Sequence, residues 1–368
     1  MSIQEKFYEV CVNSADLGPS SNSSIPRRLS IQGNIDSESI SSLSTSNDSI
    51  SVGSLLLFNS YLHYDPLKWA LKDLRFSRLL SVESSSVLYS TCYWKSFPAS
   101  ICKLPYLETI HVEGWIDKCI PNEIWIMKQL RHLDASLGIK LKPPVIVGHT
   151  LSNLKVLSFV QVDKETSILF QKSLFPNLRK LHLGKRHRIF IEHIIDESMA
   201  SEILASLESL QNLQILKLSS FKFGQLLDLF PLSLKLTKIT FVRCKFFSKH
   251  LMESLGKLAN LRILKIRRCD TSWQLHFVAD KFPQLEVFKM IGLIDIETWE
   301  LETHAMPNLQ HLAIEECKNL RNLPDELWSL VNLRTVELSE IRQDLKEKLM
   351  IKQSKMKEDG YSCKLIVN

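Results

Sequence analysis

The stretch FPASICKLPYLETIHVEG (97–114), followed by IPNEIWIMKQLRHLDAS (120–136), decides the architecture. Pro98 falls on Pro121, Ile101 on Ile124, Leu104 on Met127, Leu107 on Leu130, Ile110 on Leu133 and Val112 on Ala135, each 23 residues on. The shared pattern is P-x-x-L-x-x-L-x-x-L-x-x-L-x-L. The first apolar residue of each L-x-L recurs at Leu80, Ile110, Leu133, Leu157, Leu181, Leu216, Ile239, Leu264, Phe288, Leu312 and Val336. The steps are 30, 23, 24, 24, 35, 23, 25, 24, 24 and 24 residues. In L-x-L the two apolar side chains point to one face of a strand and the residue between them to the other. The apolar residues three apart before each strand fit a short helical or irregular return. One such unit cannot enclose its own leucines, whereas stacked units share a continuous core.

The fold class expected is therefore α/β, a leucine-rich-repeat solenoid (horseshoe) with a parallel β-sheet on its concave face. The long step contains GKRHRIFIEHIIDESMASEILASL (184–207), whose second half has helical spacing and whose start offers Lys185, Arg186 and Arg188 as a candidate insertion loop. The position after each strand, where many leucine-rich repeats carry Asn, holds Cys244, Cys269 and Cys317 in three repeats, and Trp115, Val162, Phe221, Leu293 and Ile341 in others. A small thiol packs there and bonds weakly. Two thiols without His or further Cys at ligand spacing make a poor zinc site, so no metal is expected.

Composition narrows the function classes. Forty-six basic against 40 acidic side chains leave a net charge of +6 over 368 residues, little concentrated basic charge for a nucleic-acid binder. Glu5, Lys6, Glu9 and Asp16 interrupt any secretory leader, and no run is long and apolar enough to span a bilayer. The eight cysteines form no C-x-x-C pair and read as reduced thiols of an intracellular chain. His111, His132, His182 and His311 sit beside strand leucines with no nucleophile motif, so no catalytic residue is assigned. Trp125, Trp299 and Trp328 fall among repeat leucines and read as core.

The outward strand positions carry the sharper signal. In the middle repeats they offer Lys180, His182, Lys217, Lys238, Lys265, Arg267 and Lys289, with Arg243 and Arg268 just beyond; the last repeats offer Glu315, Glu316, Glu337 and Glu340. Stacking would set the lysines in a ladder, with Lys217, Lys238 and Lys265 as three neighbouring charges, about 5 Å per step. Like charges that close are costly unless something anionic offsets them, which marks a candidate protein-binding surface. The alternative is the solvated face that any sheet with one wet side needs.

The residues also carry a resemblance. Pro26-Arg27-Arg28-Leu29-Ser30-Ile31 ahead of Ser54-Leu55-Leu56-Leu57-Phe58, FPNLRKLHLG (175–184), FPQLEVFKM (282–290), GLIDIETWE (292–300), MPNLQHLAIEEC (306–317) and CKNLRNLPDELWSLVNLRTVELS (317–339) are typical of one family. From about residue 26 to the closing KLIVN, the chain resembles the leucine-rich-repeat domain of plant coiled-coil nucleotide-binding (NB-ARC) disease resistance proteins. The style is that of the late blight resistance proteins of the nightshade family.

That resemblance implies an intracellular recognition and autoinhibitory domain, acting in pathogen defence and the hypersensitive response. Its implied partners are proteins: the nucleotide-binding module of the same or a paired receptor, and a pathogen effector or guarded host protein. It also implies a cytoplasmic location, compatible with nuclear or peripheral membrane association. The family's upstream phosphate loop has no counterpart here, since Gly184-Lys185-Arg186 and Gly256-Lys257-Leu258 lack both the glycine loop and the following hydroxyl. No nucleotide cofactor is carried over, and the chain is expected to be a truncated receptor. The organisation expected is residues 1–25 as a remnant of the upstream junction, 26–53 as linker and first-strand entry, 54–341 as the solenoid, and 342–368 as a capping helix and strand. An F-box type substrate receptor for ubiquitin ligation, whose plant members carry similar repeats, is the competing class, though residues 1–50 contain no F-box helix set. A secreted receptor would need a leader, paired-Cys caps and N-x-L-x-G-x-I-P.

Overall fold

The structure, a computed structural model, describes residues 9–13, 28–32, 54–58, 77–83, 93–94, 97–112, 115–116, 119–185, 194–224, 230–231, 234–246, 250–271, 275–358 and 363–367. It divides into two compact units, Met1–Leu178 and Arg179–Asn368. Each is a run of stacked leucine-rich repeats, an α/β solenoid built on a parallel sheet.

Among the described residues the first unit contains seven ladder strands: β1 (Glu9–Asn13), β2 (Arg28–Gln32), β3 (Ser54–Phe58), β4 (Leu79–Glu83), β5 (Thr109–Val112), β6 (His132–Ile139) and β7 (Val156–Gln161). Each pairs in parallel with the next. β1 and β2 lie ahead of residue 54 and pair into the same ladder. EVCVN and RLSIQ already carry the period-2 pattern a strand requires, hidden among serines and short of the return-segment leucines by which the repeat was counted.

The return segments explain the three-residue spacing. Pro98 and Pro121 each start a 3₁₀ turn, with Ile101 N–H donating to the Pro98 carbonyl and Ile124 N–H to that of Pro121, both 3.1 Å. Proline has its φ preset and no donor to lose at that position. The turn directs Ile101, Leu104 and Leu107 inward beneath Ile110 and Val112, all buried. β6 is longer than its neighbours and bulges against β7 between Asp134 and Ile139. Gly138 sits in that bulge at φ +86°, and an added Cβ would lie 2.9 Å from Cγ of Gln161. Glycine is needed there on both counts.

The second unit contains β8 (Lys180–Gly184), β9 (Ile215–Ser219), β10 (Lys238–Val242), β11 (Ile263–Arg267), β12 (Val287–Ile291), β13 (His311–Glu315), β14 (Thr335–Ser339) and β15 (Lys364–Val367). Every neighbouring pair is parallel. The insertion forms a helix over Glu197–Ser206, capped by Asp196, whose carboxylate accepts from the Met199 N–H at 3.0 Å. Arg186 and Arg188 lie outside the described residues. A helix over Gln343–Glu358 buries Leu345 and Leu349. Lys348 of that helix reaches Asn322, and Lys352 lies 4.6 Å over the ring of Trp328, which is half-buried rather than core.

The asparagine ladder has moved. The Asn-Leu pairs that precede strands donate their amides to carbonyls one repeat back: Asn153 to Lys128 (2.7 Å) and Asn177 to Ser152 (2.8 Å) in the first unit. In the second, Asn308 reaches Pro283 (2.7 Å) and Asn332 reaches Pro307 (3.0 Å). These bonds satisfy backbone groups of the turn before the strand. That frees the position after the strand for thiols and aliphatics.

Candidate protein-binding surface

Register assigns each outward side chain of the second unit to a row. One row runs His182, Lys217, Thr240, Lys265, Lys289, Ala313, Glu337 across β8 to β14. The row two residues earlier holds Lys180, Ile215, Lys238, Ile263 and Val287, and the row two residues later holds Val242, Arg267 and Ile291. The expected trio of Lys217, Lys238 and Lys265 is therefore not one ladder. Thr240 stands between Lys217 and Lys265, and Lys238 belongs to the adjacent row, because the residues before and between an L-x-L pair are both outward but two positions apart.

What the fold does gather is a group centred on Lys265. Lys289 is its register partner, and Lys238 and Arg267 flank it. Its partial burial, with Lys238, Lys289 and Arg267 beside it, holds the Lys265 ammonium below the usual lysine range. Every charged neighbour contributing to that shift is cationic. Both causes oppose the charged form.

The other candidates are dispersed. Lys180 is exposed at the start of β8. His182 Nε2 lies 2.8 Å from Ser219 Oγ, and Lys185 donates to the Ile194 carbonyl at 3.4 Å. Arg243 and Arg268 occupy the bend after β10 and β11, where Ser220, Arg243, Arg268, Gly292, Glu316 and Glu340 all have φ between +49° and +65°. Arg268 is paired, reaching over Gly292 to Glu316 at 3.5 Å. A Cβ on Gly292 would lie 2.8 Å from Cγ of Arg268, so that residue keeps the path clear. Beyond this bridge the face turns acidic, with Glu315 and Glu337 exposed.

The histidines of the first unit take cross-strand partners. His111 Nδ1 is 3.4 Å from Asp134, and His132 Nδ1 is 3.2 Å from Thr109 Oγ1.

The thiols pack inward. Cys244 and Cys269 are buried, and the Cys244 N–H points at the Cys269 sulfur at 3.4 Å. The Cys269 and Cys317 thiols each donate at 3.4 Å to a carbonyl two residues back. Burial pushes Cys102 up to about 12, with Glu123 adding to it, and Cys317 up to about 11. Among the described residues no group of three or more His, Cys, Asp or Glu could hold a metal ion. Among the described cysteines, residue-resolved alkylation at pH 8 is expected to label half-buried Cys119 and Cys363 first. Cys102, Cys244, Cys269 and Cys317 should label only after denaturation; their prompt labelling would remove the thiols from the core. Above about pH 9 the unfolded chain's thiols lose protons that folded Cys102 and Cys317 keep. Stability should then fall with rising pH by about 1.4 kcal/mol per unit per thiol, and Cys102→Ala should remove one share of that slope.

The reading of the residues missed one further feature. A pocket of about 820 Å³ is lined by His276, Ala279, Trp299, Glu300, Leu301, Glu302, Thr303, Pro324 and Glu326. It sits where the parallel strands Leu275–Phe277 and Trp299–Leu301 pair in the return segments. His276 Nε2 and Glu302 lie 2.7 Å apart, and the Ala279 N–H donates to Glu302 at 2.9 Å. These residues are scattered over three repeats, and no local motif marks them.

A family model described as a leucine-rich repeat region matches residues 87–250. Late blight resistance protein R1-A of Solanum demissum is 25% identical over 329 residues, covering 77% of this chain and 24% of that protein. A late blight resistance protein homologue of the same species, R1B-12, is 24% identical over 284 residues, covering 73% and 20%. Disease resistance protein RPP8 of Arabidopsis thaliana is 24% identical over 249 residues, covering 63% and 27%. The chain spans between a fifth and a third of the length of these relatives. The repeat period, the parallel ladder and these likenesses together make the chain a leucine-rich-repeat solenoid, similar over most of its length to a region of plant disease resistance proteins.

Proposed function

We propose that this chain is a protein-recognition and autoinhibitory segment of an intracellular plant immune receptor, a binding module rather than an enzyme. It acts in pathogen defence and the hypersensitive response, and its docking surface is the sheet face around Lys265. The observation that carries the reading is the gathering of Lys238, Lys265, Lys289 and Arg267 on one wet face with only cations acting on the central lysine. Such a face loses repulsion when a carboxylate-bearing surface covers it, and its field steers that surface into place. The likeness to resistance proteins supports a protein partner: the nucleotide-binding module in the resting state, and a pathogen effector or guarded host protein on activation.

The combined variant Lys238→Glu, Lys265→Glu, Lys289→Glu tests it. Each solvated charge contributes roughly 0–1 kcal/mol, so single changes should be nearly silent. The triple reversal should weaken docking to the separately expressed nucleotide-binding module by about tenfold, mainly through the association rate. In a receptor carrying this domain, it should abolish the response or release it without a pathogen, since only contacts that differ between two states shift a switch. Co-precipitation indifferent to salt and to the triple variant would reduce the cluster to an idle solvated face.

A further inference from the structure

The first unit carries a rigid apolar tip. After β6 the chain runs through Lys140-Leu141-Lys142-Pro143-Pro144 and exposes Val145, Ile146 and Val147 at 82%, 59% and 97%. Three consecutive aliphatic side chains left this open are costly to hydrate. The loop is nonetheless held in one shape. Asn122 donates to the Pro143 carbonyl at 3.1 Å and accepts from the Val145 N–H at 3.0 Å; the Trp125 indole donates to the Lys142 carbonyl at 3.0 Å. Two prolines preset their φ, and Gly148 turns the chain back at φ +89°. Valine and isoleucine are stiff at χ1, so little side-chain freedom remains to be lost on docking. A fixed, shaped tip suits a shaped socket, whereas a fluid lipid surface gains nothing from the shape.

Charge says which socket. From Lys140 to Thr150 the loop carries Lys140, Lys142 and His149 and no acid. The pocket of the second unit is its complement. Trp299, Leu301, Ala279 and Pro324 supply apolar wall, and Glu300, Glu302 and Glu326 supply carboxylates. Trp299 is itself largely buried, so the pocket floor is fixed before anything enters it.

We propose that the Val145–Val147 tip of one copy seats in the Trp299 pocket of a second copy, with Lys140 and Lys142 against its glutamates. Tip and pocket are different surfaces, so the contact is heterologous and builds rings or open chains rather than a two-fold dimer.

Sedimentation of the full 368-residue chain over a concentration series, at low and high salt, tests this. The weight-average mass should rise with concentration and rise less in high salt. The tip variant Val145→Ser, Ile146→Ser, Val147→Ser and the pocket variant Glu300→Lys, Glu326→Lys should each weaken self-association by about tenfold or more. Both should keep the wild-type thermal midpoint, since all five side chains are exposed. An equimolar mixture of the two variants retains one intact tip and one intact pocket, and should form a dimer and nothing larger. A monomer at every concentration overturns the proposal. So does association that only one of the two variants disrupts. A wild-type monomer that co-sediments with phosphatidylserine vesicles through the tip would assign the loop to a lipid surface and equally overturn it.

Discussion

Leu264→Asp is expected to unfold the second unit. Leu264 is the first inward residue of β11, fully buried, registered between Ile239 and Phe288. A carboxylate placed there meets only apolar side chains and inward-facing backbone already bonded in the ladder. Removing it from water without a partner costs several kcal/mol, against a total stability of roughly 5–15 kcal/mol for an ordinary domain. Thermal or urea unfolding of the purified variant checks this. A wild-type midpoint would mean that Leu264 faces solvent and that the register is shifted by one residue, which would turn Lys265 inward.

Phe241→Ala is expected to cost about 3–5 kcal/mol, the range for deleting a fully buried phenyl ring. Phe241 is the second inward residue of β10. Its ring lies 5.5 Å from Phe223 and 5.3 Å from Phe246, both edge-on, and 6.4 Å from Phe230. Phe223 also stacks on Phe221 at 5.9 Å. The cluster therefore ties successive repeats together, and in a stacked array the loss passes to nearest neighbours. Hydrogen exchange should show lowered protection in β9, β10 and β11 first, with β14 less affected. Phe241→Leu, which keeps most of the volume, should lose distinctly less. Equal loss across every strand would mean that the unit unfolds as one cooperative block instead of repeat by repeat.

The repeat was legible because its cause is local. Inward and outward positions follow from the period of two in L-x-L, and the return leucines from the period of three before it. The proline that opens each 3₁₀ turn acts through its own ring. The helix Glu197–Ser206 was legible for the same reason, as was the thiol packing at Cys244, Cys269 and Cys317. The strands β1 and β2 are harder to read, because their pattern is only five residues long and lies in serine-rich text. That the asparagines before the strands carry the cross-repeat bonds was not legible, since which carbonyl an amide can reach depends on the neighbouring repeat.

The candidate surface divides in the same way. The sequence by itself determined which lysines face outward, because pleating alternates side chains whatever the partner strand is. Only the tertiary structure decided which of them meet. Register placed Thr240 between Lys217 and Lys265 and brought Lys289 and Arg267 around Lys265. It also sent Arg268 across Gly292 to Glu316, removing from the basic group a residue that reads as part of it. The Trp299 pocket and the tip at Val145 belong wholly to the tertiary level. One depends on side chains from three repeats closing a space, and the other on Asn122 and Trp125 holding a loop some twenty residues away in sequence. Pleat and period are properties of a single strand, whereas register, pockets and loop anchoring are properties of how repeats of unequal length stack.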